Sequence, residues 1–307
     1  MSFIKQVLGN IFSRRDASQS AAFARGAAAG QSFGDLQLKQ CRYGPMLFSG
    51  PIIGKCFELY GQYSESEVAL MRQFVALGDN VIDIGANIGD LTVPLAQMVG
   101  PEGSVRACES HAGIFNVLCA NLALNGLRNV NPVNAYLQSP RAGGVARSEA
   151  NSPYLSERWT PPSMAIDDFG LTRCSLLKID VDGLEEDILR SGEALLRQAR
   201  PVLYVENDLQ EKSPGLLRYM DQMGYDLYWH AAPIFAADNF FGNPQYHWSG
   251  NIVSTMILGI PRESGTRIGN LPLSRDFDRW WEFDAPWVQA QLAPDFAVQV
   301  IRGAGSA

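Results

Sequence analysis

A short apolar run, Asn80-Val81-Ile82-Asp83-Ile84, passes directly into Gly85-Ala86-Asn87-Ile88-Gly89, and Leu91, Leu95 and Met98 then follow at helical spacing. A strand that turns at once into a helix through a pair of glycines is the opening unit of an open α/β sheet. The glycines let the chain turn sharply and let a ligand come close to the backbone. In such sheets ligands sit beyond the carboxyl ends of the strands, where the strand order reverses.

The alternation continues along the chain. Residues 104–108 read as a second strand ending at Glu109, and Ile114, Leu118 and Leu122 mark a helix that runs to Asn125-Gly126. A third strand falls near 130–137. Residues 138–163, with Pro, Ser, Arg and Gly and no periodicity, read as a long loop over the site. Residues 176–180 are a fourth strand, 184–197 a helix and 201–206 a fifth strand, and Ser213-Pro214 opens a helix that stops at Gly224. Strands at 225–229 and 252–260 close the set. This order predicts a parallel sheet covered by helices on both faces. Ahead of it, Ser64 and Glu67 have the spacing of a capping box for a helix that carries Leu70, Met71, Phe74 and Val75 and stops at Gly78. Residues 41–60 read as short strands, a hairpin before the main domain.

At 307 residues the chain is long enough for one large α/β domain with additions at both ends. The expected division is 1–59 as an N-terminal helix, connector and hairpin, 60–261 as the main domain, and 262–307 as an aromatic extension packed on it. Trp280, Trp281 and Trp287 lie in that extension. Phe3, Ile4, Val7, Leu8, Ile11 and Phe12 share one helical face, suited to docking on the body, on a second subunit or on a membrane surface. Residues 16–35 are rich in Ala, Gly and Ser and read as a connector. No apolar run reaches the roughly 18 residues of a membrane span. With 25 basic and 32 acidic residues the net charge is −7, which disfavours nucleic acid as a partner. Cysteines 41, 56, 108, 119 and 174 include no C-x-x-C pair, and Cys119 reads as a small core residue. A reduced, cytoplasmic setting is expected.

Glu109 lies at the second strand's end, where a carboxylate accepts the two hydroxyls of a ribose lying across the first turn. Dinucleotide and adenosylmethionine sites share that feature, so the glycine spacing must separate them. Here it is G-x-x-x-G rather than G-x-G-x-x-G, with Asn87 between the glycines and Asp90 directly after them. An acid beside the helix start repels a pyrophosphate but tolerates a cationic ligand. Asp83, Gly85, Asn87, Gly89, Glu109 and Asp180 are therefore the candidate cofactor-binding residues. Lys178-Ile179-Asp180-Val181-Asp182-Gly183-Leu184-Glu185 is the second constellation, its strand alternation placing Lys178, Asp180 and Asp182 on one face. Acids so close repel one another unless they serve a cation or hold a proton.

These two motifs, in this order and with Glu109 between them, resemble the FkbM-type methyltransferases from about Tyr60 to Pro261, including Arg200-Pro201 before the fifth strand. The resemblance implies a class I, Rossmann-like fold: a doubly wound seven-stranded sheet with its last strand antiparallel. It implies S-adenosyl-L-methionine as methyl donor and a hydroxyl of a sugar, glycan or secondary metabolite as acceptor. The sequence departs from the family pattern at Asp182, where Glu is usual. It departs again at Asn134-Ala135-Tyr136-Leu137, which lacks the usual acid or Ser for the adenine amine.

In-line methyl transfer to a hydroxyl calls for positioning and a base or a metal. Asp182, Glu185 and His247 are the candidate bases. Asp180 or Asp182 with Glu206-Asn207 on the next strand offers hard oxygen ligands for a divalent ion such as Mg²⁺. His111 is expected beside the ribose and His230 at the end of the sixth strand. Phe240, Phe241, Tyr246 and Trp248 make either a stacking wall for a sugar ring or an ordinary packed loop. A nucleotide-dependent oxidoreductase and a noncatalytic adenosyl-ligand-binding protein are the competing functional classes.

Overall fold

The computed structural model describes residues 31–33, 35–139, 161–248, 253–280, 282 and 284–302. The expected helix at 3–12, the connector up to residue 30, most of the 138–163 loop and Trp281 lie outside the described residues. Seven strands form the central sheet: β4 (Asn80–Ile84), β5 (Ser104–Cys108), β6 (Val130–Val133), β7 (Leu176–Ile179), β8 (Val202–Glu206), β9 (Tyr225–Pro233) and β10 (Val253–Pro261). Their order across the sheet is β9-β10-β8-β7-β4-β5-β6. The last strand, β10, runs antiparallel to both of its neighbours and the other pairings are parallel. The chain winds outward from β4 to β6 and then back through β7 to β9, so the order reverses between β4 and β7. This is the sheet that the two motifs imply.

Strand alternation builds the two faces. Ile82 and Ile84 of β4, Leu177 and Ile179 of β7, and Leu203 and Val205 of β8 pack on helices α5 (Glu185–Ser191), α6 (Glu193–Ala199) and α7 (Ser213–Gln222). Val81, Leu176 and Tyr204 face the other way, against α2 (Glu65–Met71) and α3 (Thr92–Val99). The expected helix 184–197 is two helices broken at Gly192, where a Cβ would stand 2.9 Å from the Ile166 side chain.

Ser64 does not cap α2 as the box spacing suggests. Its backbone is left-handed (φ 42°), and its hydroxyl donates to Glu67 Oε1 at 2.5 Å, side chain to side chain. The hairpin lies earlier than the expected 41–60, at residues 36–48, where β2 (Leu36–Cys41) pairs with β3 (Gly44–Phe48), and β1 (Gln31–Phe33) adds a third strand to it. Residues 55–60, expected as strand, are helix α1 (Lys55–Tyr60), whose buried Cys56, Phe57 and Tyr60 keep helical spacing over a run too short to declare it. Cys119, expected in the core, is only half-buried on α4 (Ala112–Leu124), while the other four cysteines are buried and all five are free.

One buried amide ties the hairpin to the sheet. Asn121 of α4 donates to the carbonyls of Leu47 at 2.9 Å and Ile88 at 2.8 Å, and accepts from the Leu47 N–H at 2.7 Å. Asn121→Ala strands three buried backbone groups, so it is expected to lower stability by about 3 kcal/mol in chemical denaturation. It should leave the far edge of the sheet protected in hydrogen exchange. In the C-terminal segment Trp280 and Trp287 lie 5.9 and 6.3 Å from Trp229 on β9, with α8 (Pro286–Gln291) beside that strand. Among the described residues no helix is long and apolar enough to cross a membrane.

Candidate active site

A cavity of about 630 Å³ opens at the carboxyl ends of β4, β5, β7 and β8, at the point of reversal. Gly85, Asn87 and Asp90 line it from the first turn, Glu109 and His111 from the end of β5, and Asp180 and Asp182 from the end of β7. The turn itself needs a glycine. Gly85 has φ 71°, and a Cβ on it would fall 1.9 Å from the backbone oxygen of Asp180. The first turn and the end of β7 are thus in contact through backbone alone, which sets the floor of the cavity.

Beneath that floor lies an ion pair dictated by register. Asp83 on β4 and Lys178 on β7 are opposite one another in the parallel ladder. The Lys178 Nζ stands 3.1 Å from Asp83 Oδ1, donates to the Gly85 carbonyl at 2.9 Å, and is 3.7 Å from an oxygen of Asp180. Burial alone would push the lysine down, but Asp83, Asp180 and Asp90 hold it charged and its proton affinity is raised. Asp83 is fully buried and also accepts from Thr92 Oγ1 at 2.6 Å. It supports the turn from below and does not line the cavity.

Glu109 is buried and held by backbone. Its Oε2 accepts from the Asn87 N–H at 3.0 Å and its Oε1 from the His111 N–H at 2.7 Å. Burial raises its proton affinity, and those two hydrogen bonds oppose the rise. Asn87 takes a left-handed backbone (φ 48°) to aim its N–H at this carboxylate. Asn134 is anchored to the carbonyls of Glu109 and Ser110, at 2.8 and 3.1 Å. Ala135, Tyr136 and Leu137 then pass along the wall with Ile114.

At the β7 end the strand stops at Ile179, so the expected alternation does not carry on to Asp182. A left-handed Asp182 (φ 56°) turns the chain, and its N–H donates to Glu206 Oε2 at 3.2 Å. Asp180 and Asp182 both reach the cavity, and Glu206 from β8 joins them. Burial first, and then the charges of Asp180, Asp208, Glu185 and Asp182, push Glu206 well above the usual carboxylate range. Oxygens of Asp182, Glu206 and Asp208 all lie within 4.8 Å of one another. Asp208 is legible as the second acid of a strand-end Glu-x-Asp, and Asn207 of the expected ligand pair does not line the cavity, its amide donating to Ser213 Oγ at 2.9 Å.

Two of the three candidate bases do not line the cavity. Glu185 accepts from the Gly183 N–H at 2.8 Å and the Val181 N–H at 3.3 Å, bracing the 181–183 loop from behind, and burial pushes it up to about 7. His247 is exposed beside Trp248, at a ring distance of 5.5 Å. Tyr246 and Trp248 pack with Phe235 and Tyr60, and Phe240 with Phe241 against Gly61, so these aromatics form a packed loop rather than a wall of this cavity. His230 is buried against the Tyr204 hydroxyl at 2.8 Å, where burial lowers it to about 4. His111 does line the cavity, with its Nδ1 accepting from the Ile114 N–H at 3.2 Å. Tyr63, Ile52 and Ile53 complete the lining from ahead of the sheet, and no motif announces them.

A family model described as the methyltransferase FkbM domain matches residues 83–227. No curated protein matches the chain. Among solved structures, a precorrin-6y C5,15-methyltransferase from Geobacter metallireducens is similar at 15% identity, with a TM-score of 0.45 over 64% of this chain and 87% of that one. An S-adenosylmethionine-dependent O-methyltransferase from Thermotoga maritima is similar at 16% identity and a TM-score of 0.43, covering 73% and 77%. An FkbM methyltransferase from Methylobacillus flagellatus is similar at 16% identity and a TM-score of 0.40, over 59% of this chain and 43% of that longer one. The fold assignment rests on strand order rather than on these likenesses. Strand order and the cavity at the reversal give a class I, Rossmann-like methyltransferase fold, and residues 83–227 of it match the FkbM methyltransferase domain.

Proposed function

We propose that the chain transfers a methyl group from S-adenosylmethionine to a hydroxyl of a sugar, glycan or secondary metabolite, and that residues 60–261 with the Ile52-Ile53 segment form the catalytic unit. One observation carries the reading. Glu109, fixed by the backbone of Asn87 and His111, lines the same cavity in which Gly85 meets the Asp180 carbonyl. A volume of about 630 Å³ is in the range of small-molecule sites, and the charged groups of its lining are mostly acids, which suits a cationic donor. The donor, when bound, supplies an electrophilic methyl on a positively charged sulfur.

The residues divide by place. Glu109 accepts the ribose hydroxyls. Ile114, Ala135, Tyr136 and Leu137 offer an apolar wall for the adenine ring. The acceptor enters on the Asp182 and Glu206 side, where a buried carboxyl with raised proton affinity is the stronger base once it is ionised. Much of the rate is supplied by alignment of oxygen, methyl and sulfur, which the cavity walls enforce. A hard divalent ion such as Mg²⁺ on Asp182, Glu206 and Asp208 is the second reading of those oxygens. Methyl transfer that survives metal stripping in excess chelator would exclude it.

Calorimetry against S-adenosylmethionine, S-adenosylhomocysteine and NAD separates the classes. Binding of the adenosyl ligands and not NAD is expected, and NAD binding in their place would return the oxidoreductase reading. Glu109→Gln keeps the size and one acceptor oxygen but loses the charge-assisted bonds. Its affinity for S-adenosylhomocysteine should fall about 10–100-fold, and its stability by about 1–3 kcal/mol, because the amide nitrogen faces one of the two backbone N–H groups. Incubation with labelled donor and cell extract then identifies the acceptor.

A further inference from the structure

Among the described residues, Asp90 is the one cavity acid whose partners do not account for it. It stands directly after Gly89, two residues before α3, and is only 9% exposed. Its Oδ1 has no hydrogen-bond partner among the described residues, and the residue lines the cavity. The nearby cation acts on it only through space, its direct contacts being made elsewhere. Lys178 is engaged with Asp83, with the carbonyls of Gly85 and Ile84, and with Asp180. Burying an unpaired carboxylate costs more than the at most about 2 kcal/mol that a helix start returns to an acid beside it. This one has been taken out of solvent, its unpartnered Oδ1 shielded from water, while the residue forms part of the cavity wall.

We propose that Asp90 reads charge at sulfur: it meets the methyl donor's sulfonium as a carboxylate and thereby favours the donor over the thioether left after transfer. The inference rests on the methyltransferase reading and adds the means by which the site separates donor from spent product. Burial pushes Asp90 up to about 8, with Lys178 pulling it down and Asp83 and Asp180 adding to the rise. Near neutral pH the free protein therefore holds the carboxyl largely protonated. Seating a cation against it ionises it and releases that proton, whereas seating a neutral sulfur does not. The other groups facing Asp90 are Tyr63 from the loop before α2 and Cys56 from α1. Burial raises both, as the surrounding acids raise Lys178, so all three keep their protons through this range.

The sign follows. Donor affinity rises as pH increases towards about 8 and then levels, while affinity for the thioether stays comparatively flat. The product keeps the same ammonium and carboxylate as the donor, so the two differ only in the methyl group and in the charge it places on sulfur.

Calorimetry on the full chain, in two buffers of different ionisation enthalpy and between about pH 6 and pH 9, reads protons and affinity together. The expected result near pH 7 is release of most of one proton with S-adenosylmethionine and little with S-adenosylhomocysteine. The donor preference should grow by up to about tenfold per pH unit until it levels. Asp90→Asn should abolish the difference in proton release and bring the two affinities within a few-fold of each other. Equal proton release with both ligands would place the carboxylate at the ammonium instead and overturn the proposal. A donor preference unchanged in Asp90→Asn would overturn it as well. The wild-type buffer series decides alone if the variant does not fold. Failure of either adenosyl ligand to bind the wild type would overturn the methyltransferase reading itself, a result distinct from both of these.

Discussion

Gly85→Ala is expected to eliminate donor binding while leaving a destabilised but folded protein. The backbone at Gly85 has φ 71°, which for a residue with a side chain costs about 1–2 kcal/mol. The larger effect is steric. The new Cβ would lie 1.9 Å from the Asp180 carbonyl oxygen and 3.3 Å from a methyl of Val181, and backbone cannot rotate away as a side-chain tip does. The first turn and the end of β7 must separate, which moves Asp180 and opens the floor above Lys178. We expect at least about a 100-fold loss of S-adenosylhomocysteine affinity, which is some 2.7 kcal/mol. Stability should fall by about 3–5 kcal/mol, from strain and overpacking together. Gly126→Ala is the control. Gly126 also has a positive φ, 63°, but nothing lies within 4 Å of its Cβ position. It should show only the conformational cost and unchanged binding. Equal losses in both variants would show that backbone conformation, not contact with Asp180, is what matters at Gly85.

Lys178→Met is the second large effect. The ammonium is 3% exposed as a side chain and its partner Asp83 is 0% exposed. Removing one member of a buried pair leaves the other as an uncompensated charge, at a cost of about 3–5 kcal/mol. Here two backbone carbonyls, Ile84 and Gly85, lose their donor as well. Chemical denaturation should show this loss, with the first turn losing amide protection before the rest of the sheet. The double variant Lys178→Met/Asp83→Leu removes both charges and should recover at least half of it. A double variant as unstable as the single one would mean that the carbonyl bonds, not the charge on Asp83, are what Lys178 serves.

The fold was legible because its signals are local and repeated. Strands 80–84 and 104–108 match their expected bounds, and the glycine turn between strand and helix stands where the motif places it. Errors fell where a local rule has two solutions. Residues 55–60 are too few for periodicity to separate helix from strand, and the spacing at Ser64 was satisfied by a direct hydroxyl–carboxylate bond rather than a backbone cap. The site was legible as two motifs but not as a division of labour. Asp83 and Asp180 look alike in sequence, both acids at strand ends. Register puts the first beneath Lys178 and the second on the cavity.

Tertiary structure made the remaining decisions. Glu185 and His247 have the chemistry of bases, but one braces a loop and the other is exposed beside Trp248, away from the cavity. Glu206 and Asp90 acquire their character from burial, which depends on the whole packed molecule rather than on neighbours in the chain. The chain by itself determined the order of strands and helices, the glycine turn and the acids at the strand ends, because these follow from periodicity and backbone freedom over a few residues. Which acids meet in one cavity, which are shielded from water and which are spoken for by Lys178 was decided by the fold, because desolvation and distance arise only when segments far apart in sequence are packed together.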